Sequence, residues 1–291
     1  MGFPNGHELN PPLRNLPHHP ITPSPHHPIT PSPPMLPLLI AELKRTWIQF
    51  IRYPAEVIAG LVIITSVFYG LFLSAQYMTG PGFNFGDRLD AVVVGYVLWT
   101  LVLYIINDIA IGLQSEAQTG TLEQVFLSPF GAPRVFLARA VASLALRLTL
   151  IVGIVLILMG ITGSRLSFPL TLIFPLFSLV MAGYGLAFIM GACALVFKRV
   201  QQVLGVFQFV LLFLLAAPVE EWEGTMAWLR YLLPMLPSTG LLRDLMARNV
   251  GLDWATLGLA MVNGFGYLGL GLLLFRWAEN TAKRRGTLGG Y

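Results

Sequence analysis

Three lysines, one cysteine and five histidines are the chain's stock for phosphate binding, thiol chemistry and imidazole catalysis. A phosphate-binding loop needs a Gly-rich turn ending in Gly-Lys-Ser/Thr, whose backbone amides cradle the phosphates. Lys44, Lys198 and Lys283 follow Leu43, Phe197 and Ala282, so the chain has no such loop and does not hydrolyse ATP itself. All five histidines lie within the first 27 residues, which leaves the remainder without an imidazole base or a histidine metal ligand. Cys193 is alone, so no intrachain disulfide forms. No nucleophile stands beside a base, and neither a catalytic residue nor a metal site is assigned. Two kinds of feature remain: a charged pair within apolar runs, Asp108 and Arg147, and the polar stretch "EAQTGTLEQVFLSP" at 116–129.

The stretch has a clear local grammar. Gly120 permits a tight turn. Thr121 caps the following helix, and Gln124, three residues on, completes a capping box. Leu122, Val125 and Phe126 share one face of that helix, while Glu123 lies on another. Ser128–Pro129 ends it, because proline disfavours helix at the preceding residue. A helix of about two turns is unstable alone in water and must dock. It packs either on its own protein or in the groove of another.

The elements around it are membrane elements. Hydrophobic residues make up 55% of the chain and charged residues 11%, with a mean hydropathy of +0.71; soluble domains carry about 25% charged residues. Residues 1–34 differ. They hold 11 of the 21 prolines and a tandem "HHPITPSP" at 18–25 and 26–33, which predicts a disordered Pro/His-rich tail ahead of one domain over 35–291. The tail lacks the basic start and apolar core of a signal peptide. Residues 37–53 form an amphipathic stretch with Leu39, Leu43, Trp47 and Phe50 at helical spacing, suited to a helix in the membrane interface. Six apolar runs follow, at about 56–76, 90–110, 138–161, 171–197, 201–218 and 254–275, each near the ~20 residues that cross a bilayer. The expected fold is an all-α membrane protein with six transmembrane helices, an interfacial helix before them and a short helix between the second and third.

Charge sets the orientation. One side carries Lys44, Arg45, Arg52, Arg134, Arg139, Lys198, Arg199, Arg276, Lys283, Arg284 and Arg285. The other carries Arg88, Arg165, Arg230, Arg243 and Arg248. The Lys/Arg-rich side is cytoplasmic, which places both termini and the 116–129 stretch in the cytoplasm. On the external side, "MAWLRYLLPMLPSTGLLRDLM" is apolar but interrupted by Pro234 and Pro237, and predicts a short re-entrant pair of helices.

Charges inside spans are costly, by about 2.5–3.5 kcal/mol at a helix centre. The second and third spans run antiparallel, so Asp108 can pair with Arg139 or Arg147. Such a pair either transmits motion or serves as a static anchor. Glycines at 183, 185, 191, 264, 266, 269 and 271 allow close helix packing. Tyr104, Gln201, Gln202 and Gln208 are the polar candidates for a translocation path.

In its position after the second of six spans, "EAQTGTLEQVFLSP" resembles the signature of type-2 ABC exporter permeases. Gly120, Thr121, Leu122 and Glu123 fit the pattern, and Glu116 fits its acidic position. Ala117, Gln118 and Thr119 stand where the family usually has more charge. The resemblance covers about residues 37–280 and leaves out the tail. It implies that Glu116, Gly120, Thr121, Leu122, Glu123, Val125 and Phe126 form a cytoplasmic coupling helix that contacts a separate ABC ATP-binding subunit. It also implies a second permease subunit, identical or paralogous, with ATP and magnesium bound by the partner and no cofactor on this chain. The setting it implies is a bacterial-type inner membrane, with no nucleic-acid partner and an exported drug, lipid or similar amphiphile. The alternative class is an ATP-independent secondary transporter, with its substrate site near mid-bilayer.

Overall fold

The computed structural model describes residues 35–79, 87–119, 132–196, 200–216 and 228–285. The tail at 1–34 and residues 120–131, which hold Gly120, Thr121, Leu122, Glu123, Val125 and Phe126, lie outside them. The described residues are helical, without strands. In chain order the helices are α1 (Met35–Arg52), α2 (Pro54–Thr79), α3 (Asp87–Thr119), α4 (Ala132–Thr162), α5 (Ile173–Val196, entered through a 3-10 turn at Leu170–Leu172), α6 (Val200–Ala216), α7 (Leu229–Leu232), α8 (Leu236–Met246) and α9 (Trp254–Arg285).

Among the described residues, five stretches are long and apolar enough to cross a membrane: Val57–Ser74, Leu89–Glu116, Val135–Thr162, Leu170–Leu195 and Trp254–Ala282. The fifth expected span corresponds to a shorter apolar helix, Gln201–Ala216. Both helices that flank the 120–131 connection run further than the apolar runs expected at 90–110 and 138–161. At 1.5 Å per residue α3 is about 50 Å long and α4 about 46 Å, against about 30 Å of hydrocarbon. Their ends at Thr119 and Ala132 therefore project past the hydrocarbon core.

α3 is the central element. Val93, Val94, Leu101, Val102, Ile106 and Ala110 are buried against the neighbouring helices. The most extensive pairing is between α5 and α9, and small residues make it possible. A Cβ on Gly185 would collide with the Tyr267 backbone, and one on Gly271 with the Gly185 carbonyl. The two backbones thus approach at a distance that only glycine allows. Phe275 of α9 packs edge-on to Phe188 and Phe136, at 5.5 and 6.3 Å between ring centres.

The segment expected to form a short pair of helices does form two, the first only four residues long. The break falls at Leu233–Met235, where Met235 takes a left-handed conformation (φ 67°). Pro234 lies in the break, but Pro237 does not interrupt anything. It occupies the first turn of α8, where a missing N–H costs nothing. Side chains from α9 satisfy the backbone freed at the break. Asn263 accepts from the Met235 N–H at 3.2 Å and donates to the Tyr231 and Leu233 carbonyls at 2.9 and 3.1 Å. The Tyr267 hydroxyl donates to the Leu232 carbonyl at 2.9 Å. α8 is buried along nearly its whole length.

Candidate functional site

Four charged residues of α3 and α4, Asp108, Glu116, Arg139 and Arg147, meet in two layers at the α1 end of the bundle. In the first, Arg147 donates to Asp108 through Nη2 at 2.8 Å and Nε at 3.4 Å. The Arg147 guanidinium also sits 4.6 Å from the centre of the Tyr104 ring, a cation–π contact that offsets part of its desolvation. In the second layer, Arg139 bonds to Glu116 through Nη1 and to Glu42 through Nε at 3.1 Å. Its guanidinium lies 5.8 Å from the Phe136 ring centre. Arg45 adds a longer contact to Glu42, at 3.6 Å.

The spacing explains the layers. Glu116 follows Asp108 by eight residues, and Arg147 follows Arg139 by eight. On antiparallel helices this places the two ion pairs about 12 Å apart along the axis, one behind the other. Asp108 thus pairs with Arg147, not Arg139. Counting about 20 residues from Leu89, the Asp108–Arg147 pair falls at the edge of the hydrocarbon, with the Arg139 cluster beyond it.

The fork of Arg139 suits its position. A guanidinium presents several N–H donors in a plane and holds two carboxylates at once, where an ammonium acts as a point charge. One side chain therefore ties three helices together: α1 through Glu42, α3 through Glu116, and its own α4. Glu116 is also the first residue of the 116–129 stretch, so the base of that stretch is fixed to the bundle. The other expected coupling residues, Gly120 to Phe126, lie outside the described residues.

Of the polar candidates for a path, Tyr104 lies under Arg147. The Gln208 amide donates to Asn107 Oδ1 at 2.8 Å, and its backbone carbonyl accepts from Trp99 Nε1 at 3.0 Å. These contacts fasten α6 to α3. Gln201 and Gln202 are exposed.

Sequence reasoning missed Arg243. Its sequence context counts it among external loop charges, yet it lies in α8 with no exposed surface. It donates to the Ala91 carbonyl at 3.2 Å and to the Leu215 carbonyl. Leu215 is in the last turn of α6, where carbonyls lack intrahelical partners and the helix dipole favours a cation. Gly95 of α3 makes room for this contact, because a Cβ there would strike the Leu215 carbonyl and the Arg243 guanidinium. The available signal was the setting of Arg243 between Leu241, Leu242, Leu245 and Met246.

A family model described as ABC-2 type transporter matches residues 37–247 of the chain. No curated protein matches it.

Proposed function

The chain belongs to the ABC-2 type transporter family, and from that premise we propose that this multi-pass membrane permease is one half of the transmembrane part of an ATP-driven exporter. ATP and magnesium bind a separate ATP-binding subunit, since this chain has no Gly-Lys phosphate loop. The 116–129 stretch carries the movement of that subunit into the bundle through Glu116, Gly120, Thr121, Leu122, Glu123, Val125 and Phe126. The observation that carries this reading is the anchoring of Glu116 by Arg139 at the projecting end of α3. A load applied at 116–129 passes directly into α3, α4 and α1.

A second permease subunit, identical or paralogous, completes the transmembrane part. The exposure of α2 supports this, since only 6% of its Val57–Ser74 stretch is buried within one chain. The positive-inside rule puts the α1 end and both termini in the cytoplasm, in a bacterial-type inner membrane. The exported cargo is a drug, lipid or similar amphiphile. An ATP-independent secondary transporter has less support. Such proteins use ionisable groups near mid-bilayer, whereas Asp108 is paired with Arg147 near an edge. Co-purification with the ATP-binding protein encoded nearest the gene, followed by ATP hydrolysis, tests the proposal.

A further inference from the structure

Glu42, Arg45, Thr46 and Gln49 recur at the three- and four-residue spacing of one helix face. This polar face of α1 does not point away from the protein. All four residues line a cleft of about 340 Å³ whose far wall is α3 and α4, with Asp108, Glu116, Arg139 and Arg147 among its lining residues. Away from the cleft, α1 exposes Leu36, Ile40, Trp47 and Ile51, all more than half exposed, alongside Lys44 and Arg52. A second cavity of about 360 Å³ shares Thr46, Gln49, Ser143 and Arg147 with the first, and adds Phe50, Tyr53, Val57, Leu146 and Leu150. Together they make one groove, charged at one end and largely apolar at the other.

Three arginines (Arg45, Arg139, Arg147) face three acids (Glu42, Asp108, Glu116) in this groove, so its formal charge is zero. It offers no net attraction to an anion or a cation. It does offer donors: Arg45, with a side chain 55% exposed, the Gln49 amide, and Arg147, which borders both cavities. Its depth is that of the headgroups, because the Asp108–Arg147 pair falls at the edge of the hydrocarbon. Water alone fits the polar end but would wet Val57, Leu146 and Leu150 at the other, at a cost in apolar hydration.

We propose that this groove seats one zwitterionic phospholipid. Its phosphate takes hydrogen bonds from Arg45, Gln49 and Arg147, and its acyl chains leave past Val57, Leu146 and Leu150 into the bilayer. Arginine and amide donors match phosphate oxygens. The balance of three arginines against three acids favours a headgroup that is itself neutral overall over an anionic one. The lipid completes the packing of α1 against α3 and α4. This inference rests on the membrane location of the chain, not on its coupling to an ATPase.

Native mass spectrometry of the delipidated full-length protein tests it, with phosphatidylethanolamine, phosphatidylglycerol and inorganic phosphate as separate probes. One phosphatidylethanolamine is expected to be retained, in preference to the other two. The Arg45→Gln/Gln49→Leu variant is expected to weaken retention by at least about tenfold, since it removes the charge from one phosphate donor and deletes another. Leu146→Gln, which leaves the charged wall intact, is expected to weaken it too and decides the matter should the first variant fail to fold. Equal retention by the variants, a preference for phosphatidylglycerol, equal binding of inorganic phosphate, or water alone in the groove would each overturn the proposal.

Discussion

Arg147 of α4 donates two hydrogen bonds to Asp108 of α3, at 2.8 and 3.4 Å. Eight residues on along α3 and eight back along α4, Arg139 donates one hydrogen bond to Glu116 and a second to Glu42. The two ion pairs are rungs of one antiparallel register, and they connect the edge of the hydrocarbon to the base of the 116–129 stretch.

Removing one partner of the inner rung strands a charge that is only about a quarter to a third exposed. Asp108→Asn or Arg147→Gln is expected to lower stability by about 1–3 kcal/mol, less than for a fully buried pair. The double variant is expected to lose less than the sum of the two. Thermal unfolding in mild detergent measures this. Strictly additive losses would mean that the two residues do not depend on each other.

At the outer rung the arginine is expected to matter more than either acid. Arg139→Gln leaves Glu42 and Glu116 facing one another without the bridging cation, whereas Glu116→Gln leaves Arg139 still bound to Glu42. Arg139→Lys is expected to rescue poorly, since an ammonium does not fork to two carboxylates. The useful readout is transport per ATP hydrolysed in the assembled transporter. A coupling role predicts that this ratio falls while helix content is kept; a purely structural role predicts that protein yield falls and the ratio holds.

Arg243 locks α8 to α3 and α6 at the opposite end. Arg243→Met is expected to cost about 1–3 kcal/mol, the range for leaving buried carbonyl acceptors without their donor. Gly95→Ala acts on the same contact from the other side, by pushing the Leu215 carbonyl and the guanidinium apart. The two changes are therefore expected to combine with less than additive loss when unfolding is followed by circular dichroism.

Asp253 gives a pH prediction outside the membrane. It accepts from Thr256 Oγ1 at 2.5 Å and from the Ala255 N–H at 3.0 Å, capping α9. These hydrogen bonds, that from the Thr256 side chain first, hold its carboxyl below the ordinary range. A depressed pKa contributes stability that is present above the unfolded value, about 3.9, and is lost as pH falls through the folded one. Amide exchange at the start of α9 is therefore expected to be flat from pH 5 to 8, after correction for intrinsic exchange, and to quicken only below about pH 4. In Asp253→Ala it is expected to be fast throughout.

Much of this architecture is legible in the residues. The helix of α1, five of the six apolar runs and the glycines that α5 and α9 use at their contact are read from periodicity and composition. The ends of α3 and α4 are not. The apolar runs end at about 110 and begin at about 138, but the helices continue to Thr119 and from Ala132, so hydropathy places the boundaries too close to the membrane. The choice of Arg147 for Asp108 needs the register, which spacing alone leaves open until Glu116 and Arg139 are paired as well. Glu42 looks like an exposed partner of Arg45, three residues on, and its burial under Arg139 depends on a helix about a hundred residues away. Arg243 is hidden for the same reason: burial by distant elements leaves little trace in local sequence.

The central claim is that force from an ATP-binding subunit enters through 116–129. Its most direct test is co-purification in mild detergent with the ATP-binding protein encoded nearest the gene, comparing wild type with Glu123→Arg. A stable wild-type complex that hydrolyses ATP, lost or uncoupled in Glu123→Arg, is the result expected. No complex with any candidate ATPase, together with uptake into vesicles driven by an ion gradient alone, would contradict it.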